Sequence, residues 1–98
     1  MDLRQVTQLD VSELEPPQPM HQITAALQKL NAGEVLAVTH RRKPVPLFEM
    51  IAERFEYLCD EVTPSHFQLY FWRVKDNDAK SLAEQLLVNK SLYKKYPL

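Results

Sequence analysis

The sequence predicts an α+β fold: a two-layer sandwich in which two helices cover one face of a four-stranded mixed sheet, with an extra helix at the C-terminus. Three observations support this prediction. Residues 20–30 place apolar side chains at three- and four-residue steps, the period of a helix with one buried stripe. Residues 35–38 are continuously apolar, as in a central strand covered on both faces. Residues 67–74 alternate between two faces, as the side chains of a strand do.

The first half of the chain alternates strands with helices. A strand is predicted at about residues 5–11, and the proline-rich residues 16–19 then suit a helix start, where the amide that proline lacks would be unpaired anyway. Gly33 suits the left-handed residue after the first helix, and residues 34–39 predict the next strand. Pro46 is predicted to start the second helix. The predicted buried stripe of that helix is Leu47, Met50, Ile51 and Phe55.

The second half predicts a hairpin followed by a helix. Residues 56–62 and 67–74 are the two strands, and the Thr-Pro-Ser sequence at residues 63–65 suits the turn between them. Asp76, Asn77 and Asp78 are candidate N-caps for the third helix. The apolar stripe of that helix consists of Ala79, Leu82, Ala83, Leu86 and Leu87.

The order of elements leaves one face of the sheet to be covered. Right-handed crossovers place the first two helices on the same face, and Tyr70 and Trp72 point to the other face. An exposed aromatic patch usually has a partner, which here is the third helix, a second copy of the chain, or both. A homodimer is therefore predicted through the Tyr70 and Trp72 face or through the C-terminal helix. We assign residues 1–75 to the sandwich domain and residues 76–98 to a helical extension packed on the same domain.

Composition narrows the possible classes of function. The 98 residues, 45% of them apolar, carry a formal net charge of -1, which fits one globular core and gives no global sign of nucleic-acid or membrane binding. The single cysteine, Cys59, fits a reducing compartment, and neither a signal peptide nor a membrane-spanning run is evident. We therefore predict a cytoplasmic protein. A single glycine excludes Gly-rich phosphate loops.

Several short motifs resemble a known fold family. These motifs are Leu9-Asp10, Leu14-Glu15-Pro16-Pro17-Gln18-Pro19-Met20, Ala32-Gly33-Glu34-Val35-Leu36, Thr39-His40 and Pro44-Val45-Pro46-Leu47. The first three resemble the TusA (SirA-like) sulfur-carrier fold. Together they more closely resemble an uncharacterised bacterial family of TusA-like small domains, over about residues 8–73. The resemblance implies a sandwich of βαβαββ order. It also implies a link to redox or nitrogen-oxide metabolism, because relatives occur beside hemerythrin-like domains or near genes of that metabolism.

The sulfur-carrying position of TusA-like proteins is changed in this chain. In those carriers a cysteine directly precedes the first helix in a Cys-Pro-X-Pro motif, where the helix N-terminus favours the thiolate. Here Pro16 stands at the matching position, so no catalytic residue is carried over. The one thiol, Cys59, lies in a predicted strand, where an inert buried thiol is the commoner interpretation. A sulfur-transfer relay through Cys59 is the alternative.

The candidate binding site combines the proline junction with the loop after the second strand. His40 ends a central strand, where ligands bind in open α/β sheets, and Arg41 and Arg42 follow it. With the first helix N-terminus, these side chains predict a non-catalytic surface that contacts a protein or a small anion. The alternative is a solvated turn in which His40 bonds a nearby carbonyl. The predicted site residues are Glu15, Pro16, Pro17, Pro19, His40, Arg41, Arg42 and Pro44.

Two further site types have weaker support. A metal site would have to assemble His21, His40, His66 and Cys59 across the fold, since no two of them have close ligand spacing, and we predict neither a metal nor another cofactor. An aromatic strand at residues 67–72 could suggest an RNA-binding module that stacks bases. The chain lacks the net basic charge typical of such modules, so an aromatic core is the expectation.

Overall fold

A computed structural model describes the backbone of residues 5–95 and the side chains of residues 5–89. Its elements are β1 (Val6–Asp10), α1 (Gln18–Gln28), β2 (Val35–His40), α2 (Val45–Ile51), β3 (Phe55–Thr63), β4 (His66–Arg73) and α3 (Asn77–Lys95). This succession confirms the predicted order, and all strand boundaries agree with prediction to within one residue. Predictions for residues 1–4 and 96–98 lie outside the described residues.

The four strands form one mixed sheet in the order β1-β2-β4-β3. β1 and β2 are parallel, with Asp10 opposite Thr39. β4 is antiparallel to both of its neighbours, β2 and β3. Because β1 and β2 run in the same direction, the segments that leave their carboxyl ends emerge side by side. Those two segments contain the proline junction and the His40 loop.

The helices α1 and α2 share a core with one face of the sheet. Ile23 and Leu27 of α1 are buried there, as predicted. In α2 the buried side chains are Leu47, Phe48 and Ile51. The predictions for Met50 and Phe55 were wrong, because the Met50 side chain is 54% exposed and the buried Phe55 begins β3 instead of extending α2. Both Phe48 and Met50 have a spacing that fits the buried stripe of a helix. A contact with another element decides which face of α2 is buried, because the Phe48 ring stacks on Tyr57 of β3 at 3.8 Å between centroids.

The third helix covers the opposite face of the sheet. Tyr70 and Trp72 are only 3% and 2% exposed, and they pack in a second apolar cluster. The other fully buried members of that cluster are Val35, Ala37, Ala79, Leu82 and Ala83. The Trp72 indole N–H donates to Glu56 Oε1 at 2.9 Å. Of the partners that the sequence allowed for the Tyr70 and Trp72 face, the structure shows α3 of the same chain. Association of two copies stays a prediction.

One carboxylate joins the start of α3 to the turn before β2. Asp76 caps the helix, since the Ala79 amide donates to its Oδ1 at 3.1 Å. Its other oxygen, Oδ2, accepts from the Gly33 amide at 2.7 Å. Gly33 has a φ of +83°, the left-handed conformation expected for it, but the prediction that it directly follows the first helix was wrong, because α1 ends at Gln28. Asp76 therefore fixes where α3 begins relative to the sheet.

Candidate functional site

The proline junction and the loop after β2 meet at one edge of the molecule. The Val11 amide donates to the Thr39 carbonyl at 2.9 Å, so the chain leaving β1 runs beside the end of β2. Farther out, Arg41 Nη2 lies 3.1 Å from Glu15 Oε2. We call residues 15–19 and 40–44 the junction surface. The structure thus brings together two predicted site residues that are far apart in sequence.

His40 lies mostly beneath this surface. It is 7% exposed, and its Nδ1 accepts a hydrogen bond from the Arg42 amide at 3.1 Å. Burial lowers the pKa of His40, and the neighbouring charges of Arg41 and Arg42 lower it further. A neutral imidazole is needed to accept at Nδ1, so the low pKa and the hydrogen bond agree. His40 therefore shapes the loop that presents the two arginines, and the predicted bond to a carbonyl is replaced by one from an amide.

The prolines of the site shape the starts of both helices. Pro17 is the N-cap residue of α1 and follows a cis peptide bond, whereas Pro19 is buried in the first turn. The Gln18 amide already donates to the Glu15 carbonyl, at 2.9 Å, and Pro19 has no amide to offer. Pro44 is the N-cap residue of α2, and its carbonyl accepts from the Leu47 and Phe48 amides. The helix starts therefore offer few free backbone donors to an anion.

The exposed side chains of the junction surface carry both signs of charge. Arg41 is about one-third exposed and is engaged by Glu15, whose side chain is 79% exposed. Arg42 and Lys43 are exposed beside this pair. A free anion bound at Arg41 would have to compete with the carboxylate of Glu15. Because Arg41 is already paired with Glu15, the junction surface suits a partner surface with its own acidic and basic groups better than it suits one small anion.

Cys59 lies within β3 and is not part of a helix. It is partly buried, packs against the core shared with α1 and α2, and is paired across the sheet with Leu69. Burial raises its pKa, and the carboxylates of Asp60 and Glu61 raise it further, although Lys43 acts in the opposite direction. The thiolate is the reactive form of cysteine, so these surroundings disfavour nucleophilic chemistry at Cys59.

We expect the folded protein to be alkylated by iodoacetamide at Cys59 much more slowly at pH 7.5 than the same chain in denaturant, because both burial and the raised pKa reduce accessible thiolate. Mass spectrometry of timed, quenched samples measures both rates. The same method, applied after incubation with a persulfide donor, should show no stable gain of one sulfur atom on Cys59. Equal alkylation rates, or a stable persulfide, would support the relay.

Metal coordination receives no geometric support from the part of the chain that the structure describes. No group of three or more His, Cys, Asp or Glu side chains in that part could hold a metal ion. His21 is exposed on α1, and His66 begins β4, so they do not join His40. Within the same residues, no helix combines the length and apolar character needed to cross a bilayer.

A concavity on the other sheet face was not foreseen from the sequence. A cavity of about 520 Å³ lies between the sheet and α3, and its lining includes Asp10, Thr39 and Gln68. These three residues come from three strands, and only the strand register makes them neighbours. Strand alternation places Gln68 on the same face as Tyr70, but no motif connects it with Asp10.

The position of the junction surface can be compared with known protein families. The sequence model of DUF2249, described as an uncharacterized conserved protein, matches residues 8–73. The chain belongs to this family. The DUF2249 match contains the last three residues of β1, all of β2, β3 and β4, and both segments of the junction surface, whereas α3 lies beyond it. No curated protein and no solved structure matches the chain.

Proposed function

We propose that this chain is a non-catalytic, TusA-like binding domain that contacts a protein partner through the junction surface. The observation that carries the proposal is the Arg41–Glu15 ion pair, which joins the two segments into one exposed surface inside the DUF2249 match. An exposed pair of this kind adds little to stability, typically about 0–1 kcal/mol. Its position is therefore more informative about recognition than about folding.

A protein partner is favoured over a small anion by the hydrogen bonding of the site. A helix N-terminus binds an anion through free amides, and here proline and local carbonyls remove several of those donors. The arginines instead present planar, multiple donors to side-chain carboxylates of a partner. In the proposal, Arg42 pairs with a partner carboxylate, and Glu15 and Arg41 add charge complementarity that sets the orientation.

The resemblance to TusA-like domains suggests where such a partner would be found. We place the protein in the bacterial cytoplasm and assign its partner to redox or nitrogen-oxide metabolism. The absence of a cysteine at Pro16 supports a binding role over sulfur carriage, because the helix entrance holds no thiol. An RNA-binding role would need an exposed aromatic platform, and Tyr70 and Trp72 are buried under α3.

The test is affinity capture from native lysate with the immobilised chain, followed by titration of the identified partner. The double variant Arg41→Ala, Arg42→Ala should weaken binding roughly tenfold or more, as expected when arginine anchors of an interface are truncated. Arg54→Ala is the matched control, since Arg54 is an exposed arginine that follows α2 and lies outside the junction surface. Unchanged affinity of the double variant would refute this surface. Saturable binding of inorganic phosphate that the double variant loses would instead support the small-anion alternative.

A further inference from the structure

The sheet face beneath α3 changes from apolar to polar along its length. Near the start of α3, this face contributes apolar side chains such as Val35 and Trp72 to the second cluster. At the other end, Asp10, Thr39, Gln68 and Asp60 lie opposite one another in register across all four strands. We call these four residues the polar row. Gln68 is buried, Thr39 and Asp60 are partly buried, and Asp10 is exposed, so the row runs from the interior of the molecule to its surface.

Three residues of the polar row, Asp10, Thr39 and Gln68, line the cavity of about 520 Å³ between the sheet and α3. Apolar side chains of the same cavity include Ala37 and Tyr70 from the neighbouring row of the sheet, and Leu86 from α3. Asp10 and Thr39, which line the cavity, lie at the carboxyl ends of the parallel strands β1 and β2, the usual place for ligands in open α/β sheets. Its volume falls within the range of about 300–1,000 Å³ that is typical of small-molecule sites.

The polar groups of the cavity are held in place by their own hydrogen bonds. Both the amide and the hydroxyl of Ser12 donate to Asp10 Oδ1, at 2.9 Å and 2.6 Å. These bonds orient the carboxylate and leave Oδ2 for another donor. They also lower the pKa of Asp10, so the group stays ionised at neutral pH. Thr39 Oγ1 donates to Gln68 Oε1 at 3.2 Å, and Gln68 is 5% exposed.

We propose that this cavity binds a small organic cation, with its ammonium group on Asp10 Oδ2 and its apolar body against Ala37, Tyr70 and Leu86. The positive charge of the ligand is inferred from the cavity lining. Among the described residues that line the cavity, Asp10 is the one ionised side chain. Thr39 Oγ1, which donates to Gln68, would accept a hydrogen bond from a polar group on the body of the ligand. The site is independent of the junction surface, since α3 covers the opposite face of the sheet from α1 and α2.

Three probes that share one ring but differ in charge distinguish the effect of charge on binding from the effect of shape. They are cationic tyramine, neutral tyrosol and anionic 4-hydroxyphenylacetate. Titrating each into ¹⁵N-labelled full-length chain and following amide shifts gives the binding site and the affinity. Tyramine should produce saturable shifts at Asp10, Thr39, Tyr70 and Asn89, all of which line the cavity. It should bind roughly fivefold more tightly than tyrosol, the upper range for an exposed ion pair, and the anion should bind most weakly.

The Asp10→Asn variant tests the role of the carboxylate. Asparagine keeps an acceptor for Ser12, so the local turn is preserved, but it removes the charge. We expect tyramine to bind this variant about fivefold more weakly, to the level of tyrosol. Glu84→Gln is the matched control, because it removes an exposed carboxylate of α3 that does not line this cavity, and it should leave the affinity unchanged.

Several results would overturn the proposal. One is the absence of saturable shifts with all three probes, as expected if other residues of the chain fill the cavity. Another is binding of tyrosol or the anion at least as tight as that of tyramine, and a third is unchanged tyramine affinity in Asp10→Asn. Shifts confined to the junction surface would also place the site elsewhere.

Discussion

Replacing Leu82 with alanine should lower the free energy of unfolding by about 2–5 kcal/mol. Leu82 is 8% exposed and packs in the cluster that α3 forms with Tyr70 and Trp72. The substitution removes apolar contacts and leaves a cavity under the helix, a large loss for a domain whose total stability is about 5–15 kcal/mol. Urea denaturation monitored by Trp72 fluorescence and by circular dichroism gives the free energy with two probes.

The control for Leu82→Ala is Val88→Ala. Val88 lies on the same helix but is 56% exposed, so its truncation should change stability by no more than about 0.5 kcal/mol. A Leu82 effect as small as the Val88 effect would show that α3 is dispensable for the fold. The expected difference instead means that the residues matched by DUF2249 depend on a helix outside the match.

Stability should rise with pH across a window just below pH 6.5 because of His40. The pKa of His40 lies below 6.5 in the folded protein, mainly because its imidazole is buried. Between the two pKa values the unfolded chain binds a proton that the folded chain does not, so raising the pH favours folding. The maximum slope for one such group is about 1.4 kcal/mol per pH unit. Above the unfolded pKa the contribution is fully present, and lowering the pH removes it.

Urea titrations at several pH values between 5 and 7.5 measure this slope. The His40→Gln variant should have a much flatter profile, since glutamine cannot be protonated in this range. His21→Gln, which removes an exposed histidine of α1, should retain the slope of the natural chain. If His40→Gln keeps the slope, the pH dependence arises from another group and the assigned role of His40 is wrong. The titration of the His40 ring protons by NMR gives the folded pKa directly.

Local sequence was sufficient for the succession of helices and strands. The three- and four-residue spacing before Gly33, the apolar run at residues 35–38 and the alternation at residues 67–74 each report a backbone geometry within one element. Strand alternation also separated Phe71 from Tyr70 correctly, since adjacent strand residues point to opposite faces. These patterns predict the structure correctly because each depends only on residues within one element.

The candidate site was predictable only in part. The position of His40 at a strand end followed from the sequence, but its burial did not, because burial depends on what packs over the loop. The contact between Glu15 and Arg41 joins segments 26 residues apart and requires β1 and β2 to be neighbours. The same holds for Asp10 and Gln68, which reach one row only through Thr39 of β2.

By itself, the sequence determined the elements, their order and the absence of a cysteine at Pro16, since each of these depends on residue type or on spacing within one segment. Tertiary structure alone decided that α3 covers Trp72, that α2 buries Phe48 in place of Met50, and that Asp10 faces a cavity. The physical reason is that a buried side chain is selected by complementary shape and apolar contact with residues distant in the chain. Periodicity within one segment carries no information about those residues.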